Sequence, residues 1–267
     1  MRLEDRVVVI TGAAGGIGAA LARRFAAEKV AALVLADLDG AAATALASEL
    51  DVEAVAADVD VTVEAQVAEL VGEALGQFGR VDLFCANAGV TTGAGLEASD
   101  EQWSRTWSVN VLAHIYAARA VLPSMLERGE GYLLQTCSAA GLLTAVGDAP
   151  YAVTKHAAVA FAEWLAITYG GQGIKVSALC PQGVDTPMLR DGLAAGHIGA
   201  LVTAAGGAVL PAESVAEAAV QGLAEERLLI LPHPEVARYY QRRATDPDRW
   251  AAGMRDLVEH VAKPGDR

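Results

Sequence analysis

A chain of 267 residues, 53% of them hydrophobic, can bury a large core, and its length suits one α/β domain over 1–267. Its net charge of −13 and isoelectric point near 4.8 argue against nucleic-acid or anionic-membrane partners, which need clustered cations. The charged start MRLEDR leads into only four strongly apolar residues, too few for a secretory signal, and no apolar stretch long enough to span a bilayer stays free of charge; with Cys85, Cys137 and Cys180 far apart and without metal-ligand spacing, buried thiols in a soluble cytoplasmic protein are expected.

Short β-rich runs alternate with longer Ala-rich helical patterns, the mark of a parallel sheet covered on both faces. The strand candidates are RVVVIT (6–11), AALVLAD (31–37), VEAVAAD (52–58), VDLFCAN (81–87), YLLQTCS (132–138), IKVSALC (174–180) and RLLILP (227–232). Between them the pattern predicts helices near 16–28, 40–50, 62–78, 100–127, 150–170 and 212–225. Ser99 and Gln102 form a capping box at the start of the fourth. Residues 183–210 are a Gly- and Ala-rich insertion of the length that moves or binds something, a substrate lid. A helical tail over 235–263 places Trp250, Met254, Leu257, Val258 and Val261 on one stripe, expected to pack on its own core or a neighbouring subunit.

The chemistry gathers after the strands. TGAAGGIG (11–18) follows the first, with Gly12, Gly16, Ile17 and Gly18 forming the strand-to-helix turn that brings backbone against a pyrophosphate. Asp37 ends the second strand beside Leu38, where a carboxylate bonds ribose hydroxyls and repels a 2′-phosphate, so NAD is expected rather than NADP. Asp58 and Val59 close the third strand, Asn87, Ala88 and Gly89 the fourth, Ser138 the fifth and Pro181 the sixth. Ligands of open parallel sheets bind outside these carboxyl ends, so the residues converge on one crevice. Tyr151 and Lys155, four apart, share a helix face toward it. The five histidines, His114, His156, His197, His233 and His260, show no ligand spacing, so no catalytic metal is expected.

TGAAGGIG, ADLD, the DV at 58–59, the NAG at 87–89, the Asn of SVN at 110, Ser138, YAVTK and PQGVDT together resemble the short-chain dehydrogenase/reductase family in its compact single-domain branch. The resemblance implies a Rossmann-like, doubly wound seven-stranded sheet of order 3-2-1-4-5-6-7 and an NAD(P)-dependent oxidoreductase, usually a homodimer or homotetramer. It implies a catalytic set of Asn110, Ser138, Tyr151 and Lys155, with Asn110 holding a water that carries the proton outward. It further implies cofactor contacts from Tyr151, Lys155, Pro181, Gly183, Val184 and Thr186, Thr186 at the carboxamide. Gln182 stands where the family has glycine, and Ala86 where a second Asn is frequent.

Oxidising a secondary alcohol needs a base against its oxygen, and a free phenol with a pKa of about 10 is a poor one. Lys155 is expected to lower the Tyr151 pKa and Ser138 to donate to the substrate oxygen. The apolar lining from Leu142, Leu143, Val146 and the lid favours a small, uncharged, apolar carbinol, alicyclic, steroid-like or aromatic. A dihydrodiol dehydrogenase of the same fold, or a non-catalytic NAD-binding protein, are the alternatives.

Overall fold

The computed structural model describes residues 1–262; residue 263, the last of the expected tail, lies outside them. Seven strands form one parallel sheet: β1 (Val7–Thr11), β2 (Ala32–Asp37), β3 (Ala54–Asp58), β4 (Leu83–Ala86), β5 (Gly131–Thr136), β6 (Ile174–Leu179) and, at the far edge, β9 (Leu229–Ile230). Their order is β3-β2-β1-β4-β5-β6-β9, the Rossmann-like winding expected. β1, central and buried along its whole length, pairs with β2 and β4.

Side chains of each strand alternate between two cores. Val9 and Val34 face the core built with α3 (Glu64–Phe78), α5 (Ala113–Arg128) and α6 (Ala149–Tyr169). Val8, Ile10, Leu33 and Leu35 face the core built with α1 (Gly16–Ala27), α2 (Gly40–Glu49) and α9 (Ala212–Ala224). Both faces are covered, so the strands read as apolar runs rather than alternating ones.

The helix expected over 100–127 is three pieces: α4 (Asp100–Trp107), a π-helical turn over Ser108–Leu112 that contains Asn110, and α5. The capping box is present, Gln102 N donating to Ser99 Oγ at 3.3 Å and Ser99 N to Gln102 Oε1 at 2.9 Å. The combined run Asp100–Arg128 is long and apolar enough to cross a membrane by length and composition but, as expected, not free of charge, carrying Arg105 and Arg119; 56% of its apolar window is buried, and it is a core helix packed on β4 and β5.

The insertion is not a loop. β7 (Val184–Asp185) pairs with β8 (Leu210–Pro211), and between them stand α7 (Pro187–Ala194) and α8 (Ile198–Ala205). The tail is α10 (Glu235–Thr245) and α11 (Pro247–Ala262), broken at Asp246 because the residue before a proline leaves the helical region. α11 packs on α8, so the tail stripe meets the lid.

Candidate active site

At the carboxyl ends of the strands lies a cleft of about 1580 Å³. Its floor at one end is the β1–α1 turn. Gly12 has φ +63°, and a Cβ there would stand 2.8 Å from Ala88 Cα. Gly18 does not line the cleft; a Cβ on it would lie 2.0 Å from Gly12 O, so its role is to seat α1 against the turn. Gly16, Ile17 and the open backbone of Gly15 face the cleft. Asp37 closes the same end: its Oδ2 accepts from Ala14 N (2.8 Å) and its Oδ1 from Asp39 N (3.0 Å). Leu38 lines the mouth with 67% of its surface exposed.

Of the pair at the end of the third strand, both expected in the crevice, Val59 lines the cleft and Asp58 does not. Asp58 is turned out beneath the start of α2, where a Cβ on Gly40 would lie 2.9 Å from its own; Val59, Asp60, Val61 and Thr62 line instead. Asn87 lines, but its amide is spent on the turn, Nδ2 donating to Thr11 O and Gly12 O at 3.1 Å each. Ala88 and Gly89 continue the wall, and Pro181, Gly183, Val184 and Thr186 form the opposite one, Thr186 Cγ2 standing 3.3 Å from where a Gly16 Cβ would be.

Ser138, Tyr151 and Lys155 meet on the floor at the other end. The Ser138 hydroxyl accepts from Ala140 N at 3.0 Å and stands close enough to the Tyr151 phenol to act on its pKa. Lys155, 3% exposed, donates from Nζ to Thr136 O at 2.9 Å and lies 5.7 Å from the Tyr151 ring centroid. Burial pushes the phenol up from its ordinary value while Ser138 draws it back, and burial pushes the Lys155 ammonium down. Burial is thus the largest influence on the phenol, and the Lys155 ammonium, held on Thr136 O, is not among the groups that lower it.

Asn110 does not line the cleft. Its Oδ1 accepts from Val90 N (2.9 Å), and its Nδ2 donates to Val90 O (2.9 Å) and Thr154 Oγ1 (3.1 Å). The side chain is a clamp between the π turn, α6 and the wall after β4; a water held at this position would bind the main chain of the turn.

The sequence reading missed several polar residues that hold the site. Asp148, 4% exposed, caps α6 through Tyr151 N (3.0 Å) and accepts from both Thr92 N (2.8 Å) and Thr92 Oγ1 (2.8 Å), from Gly93 N (2.7 Å) and from the Thr91 hydroxyl. Its only signal was an N-cap residue ahead of YAVTK. Asp148→Ala should lower the unfolding free energy by about 2–4 kcal/mol, because the donors left behind are partly buried; denaturant titration checks it. His233, buried, accepts from Gln182 N (3.1 Å) at Nδ1 and donates from Nε2 to Gly183 O and Ala208 O, fastening the lid to the turn after β6. Gln182 packs its amide beside Gly206 and Gly207, whose missing side chains make room for it, with Oε1 buried and unpartnered. His114 hydrogen-bonds the Gln135 amide beneath the site, and burial, then Lys155, hold its pKa down to about 3, so it is neutral. The three cysteines are free and buried, and among the described residues no three His, Cys, Asp or Glu side chains form a metal cluster.

Leu143, Val146, Met188, Leu189 and Val202 form an apolar roof. Trp250 packs on the protein's own core, as expected of the tail stripe, at 6.1 Å from Tyr239, and with Met254 and Leu257 it also lines the cleft.

Comparison with known proteins agrees with this architecture. The family model described as short chain dehydrogenase matches residues 6–195, so the chain belongs to that family. It is an oxidoreductase acting on CH–OH groups. A 1-deoxy-11-beta-hydroxypentalenate dehydrogenase of Streptomyces exfoliatus is 38% identical over 99% of this chain and 92% of its own. A meso-2,3-butanediol dehydrogenase of Serratia marcescens is 36% identical over 70% of this chain and 75% of its own. A short-chain dehydrogenase/reductase of Burkholderia phymatum, solved in complex with NAD, superposes with a TM-score of 0.85 at 31% identity, covering 93% of this chain and 96% of that one.

Proposed function

We propose that this protein is an NAD-dependent dehydrogenase of an apolar alicyclic secondary alcohol, acting reversibly on the corresponding ketone. The observation that carries the reading is the meeting of Ser138 and Tyr151 on the floor of an apolar-roofed cleft, with Lys155 buried beside them.

The cleft fits a dinucleotide: Gly15 leaves backbone open to a pyrophosphate, and Asp37 stands at the end of β2 for ribose hydroxyls. The turn from Gly12 to Ile17 would hold the phosphates, Val59 and Ala88 the adenine end, Lys155 the second ribose and Val184 and Thr186 the carboxamide. Bound NAD supplies the hydride acceptor. Ser138 orients the alcohol oxygen, and Tyr151 takes its hydroxyl proton as the carbinol hydrogen departs as hydride. The Lys155 ammonium favours the phenolate once the alcohol proton has to be accepted.

The hydroxypentalenate in the first relative's name is a hydroxy acid anion, and that match runs through lid and tail alike. The butanediol dehydrogenase matches over only 70% of the chain. Both support alcohol oxidation, and the first favours a substrate large enough to use the tail.

The test is reduced-nicotinamide absorbance with purified protein, NAD or NADP, and a panel of secondary alcohols. NAD-linked turnover concentrated on bicyclic carbinols is expected; equal turnover of sugars would overturn the substrate class. Assembly as a homodimer or homotetramer through α4 and α6 is also proposed, on the exposed Trp107, Val153, Trp164 and Ile167. Light scattering should give a mass at least twice 27.5 kDa, and a monomeric mass would reject it.

A further inference from the structure

Among the described residues, two arginines on the lip of the cleft have no ion-pair or side-chain hydrogen-bond partner. Arg242, in the last turn of α10, and Arg249, in the first turn of α11, flank the Asp246–Pro247 corner, and both line the cleft. Arg238 and Arg255 on the same helices are likewise unpaired among the described residues but do not line the cleft, and other cations of lid and tail are engaged. Arg190 pairs with Asp185 at 2.6 Å, and Arg243 donates to Leu142 O at 2.6 Å. Of the two carboxylates at the corner, Asp246 accepts from the Arg249 backbone N–H at 2.9 Å and caps α11, and neither it nor Asp248 in the first turn of α11 pairs with either guanidinium.

The corner belongs to the substrate side of the cleft. Arg243 ties α10 to the loop that follows Ser138, and α11 rests on α8 of the lid. One residue beyond Arg249, Trp250 begins the apolar stripe that continues through Met254 and Leu257 along the same wall. A ligand here meets an apolar surface with two unpaired guanidinium groups at its outer edge, in a protein with 33 acidic and 20 basic residues. Arg23 and Arg227 find carboxylates on the surface; Arg242 and Arg249 are instead left open toward the cleft.

We infer that Arg242 and Arg249 form a carboxylate subsite, so that the substrate is an apolar ring alcohol carrying a carboxylate at the end remote from the carbinol. The inference rests on the dehydrogenase reading above and replaces the sequence-based expectation of a wholly uncharged substrate. Guanidinium groups suit this ligand because they bind carboxylate oxygens in pairs and are weakly hydrated. Carbinol at Ser138 and Tyr151, ring against Trp250 and Met254, and anion at the lip give three points of contact, which fix which face of the carbinol carbon is turned inward.

The probes are an alicyclic hydroxy acid and its methyl ester, assayed with NAD on the full-length wild-type protein, Arg242→Gln, Arg249→Gln and the double variant. The wild type should favour the acid by roughly 10- to 100-fold in kcat/KM, through KM, the range of a charge-assisted pair. In the double variant that ratio should fall to near one, with lysine at both positions restoring part of it. Equal use of acid and ester by the wild type would overturn the subsite while leaving the dehydrogenase reading intact. A rise in the KM for NAD in the double variant, equal for both substrates, would overturn it too by placing the arginines on the cofactor. Turnover of no alcohol at all, charged or neutral, would reject the dehydrogenase reading itself.

Discussion

Tyr151→Phe should reduce turnover by about 10³-fold or more while changing NAD affinity by less than about twofold. The substitution removes one oxygen and keeps the ring that packs beneath Lys155, so the floor of the cleft retains its shape. What is lost is the group that takes the alcohol proton. Lys155→Ala should fail differently: it removes the ammonium bound to Thr136 O, and with it a contact to the cofactor ribose, so both NAD affinity and turnover fall. The distinction separates a proton-transfer group from one that also binds. The pH dependence has a defined sign. Burial holds the phenol above its ordinary value, so the phenolate needed for oxidation is scarce at neutral pH and grows as pH rises. Oxidation should therefore climb toward alkaline pH and ketone reduction, which uses the neutral phenol as acid, should decline there. Ser138 is the residue that draws the phenol down, so Ser138→Ala should move the rising limb to still higher pH as well as slowing the reaction. Pre-steady-state hydride transfer followed across pH reads all three variants, and an unchanged limb in Ser138→Ala would dissociate Ser138 from the titration of Tyr151.

The sheet was legible because each strand is buried on both faces and so writes an uninterrupted apolar run; β1 is the clearest case, five buried residues ending at the glycine turn. The weak edge was overread, since only Leu229 and Ile230 of RLLILP pair with β6. Motif residues were legible where their chemistry needs a particular backbone, as at Gly12 with its positive φ, or a particular functional group, as at Tyr151. Their division of labour was not. Asn110 and Asn87 sit in catalytic motifs, yet both spend their amides on neighbouring backbone, which depends on contacts 20 and 76 residues away in sequence. Asp148 and His233 carried little local signal for the same reason: their partners come from other loops and from the lid. The tail was legible only in part, because an amphipathic stripe shows that one face is covered, as Trp250 is on the core, but not what else it borders. That Trp250 covers the cleft follows from where α11 lands on α8, a long-range fact.

The last prediction concerns Asp37, whose carboxylate is proposed to set the cofactor. It stands at the carboxyl end of β2 with no arginine or lysine in the glycine turn or just after it, so a 2′-phosphate would be placed against an anion without compensation. Juxtaposed like charges cost several kcal/mol, so NAD should exceed NADP in kcat/KM by roughly 10²–10³-fold. Asp37→Ser should collapse that ratio to within about tenfold, mostly by raising the value for NADP. The carboxylate also has a structural task, because Oδ2 accepts from Ala14 N and Oδ1 from Asp39 N. Removing it loosens the phosphate turn, so the same variant should lose NAD activity as well, by about tenfold, in line with one lost charge-assisted hydrogen bond. Asp37→Asn separates the two effects. The amide keeps an acceptor for one of the backbone N–H groups but carries no charge, so it should relax discrimination against NADP while preserving more of the NAD activity than serine does. Paired kcat/KM values for both dinucleotides in the three proteins decide the matter: a ratio that stays unchanged in both variants would mean that something other than the Asp37 charge selects the cofactor.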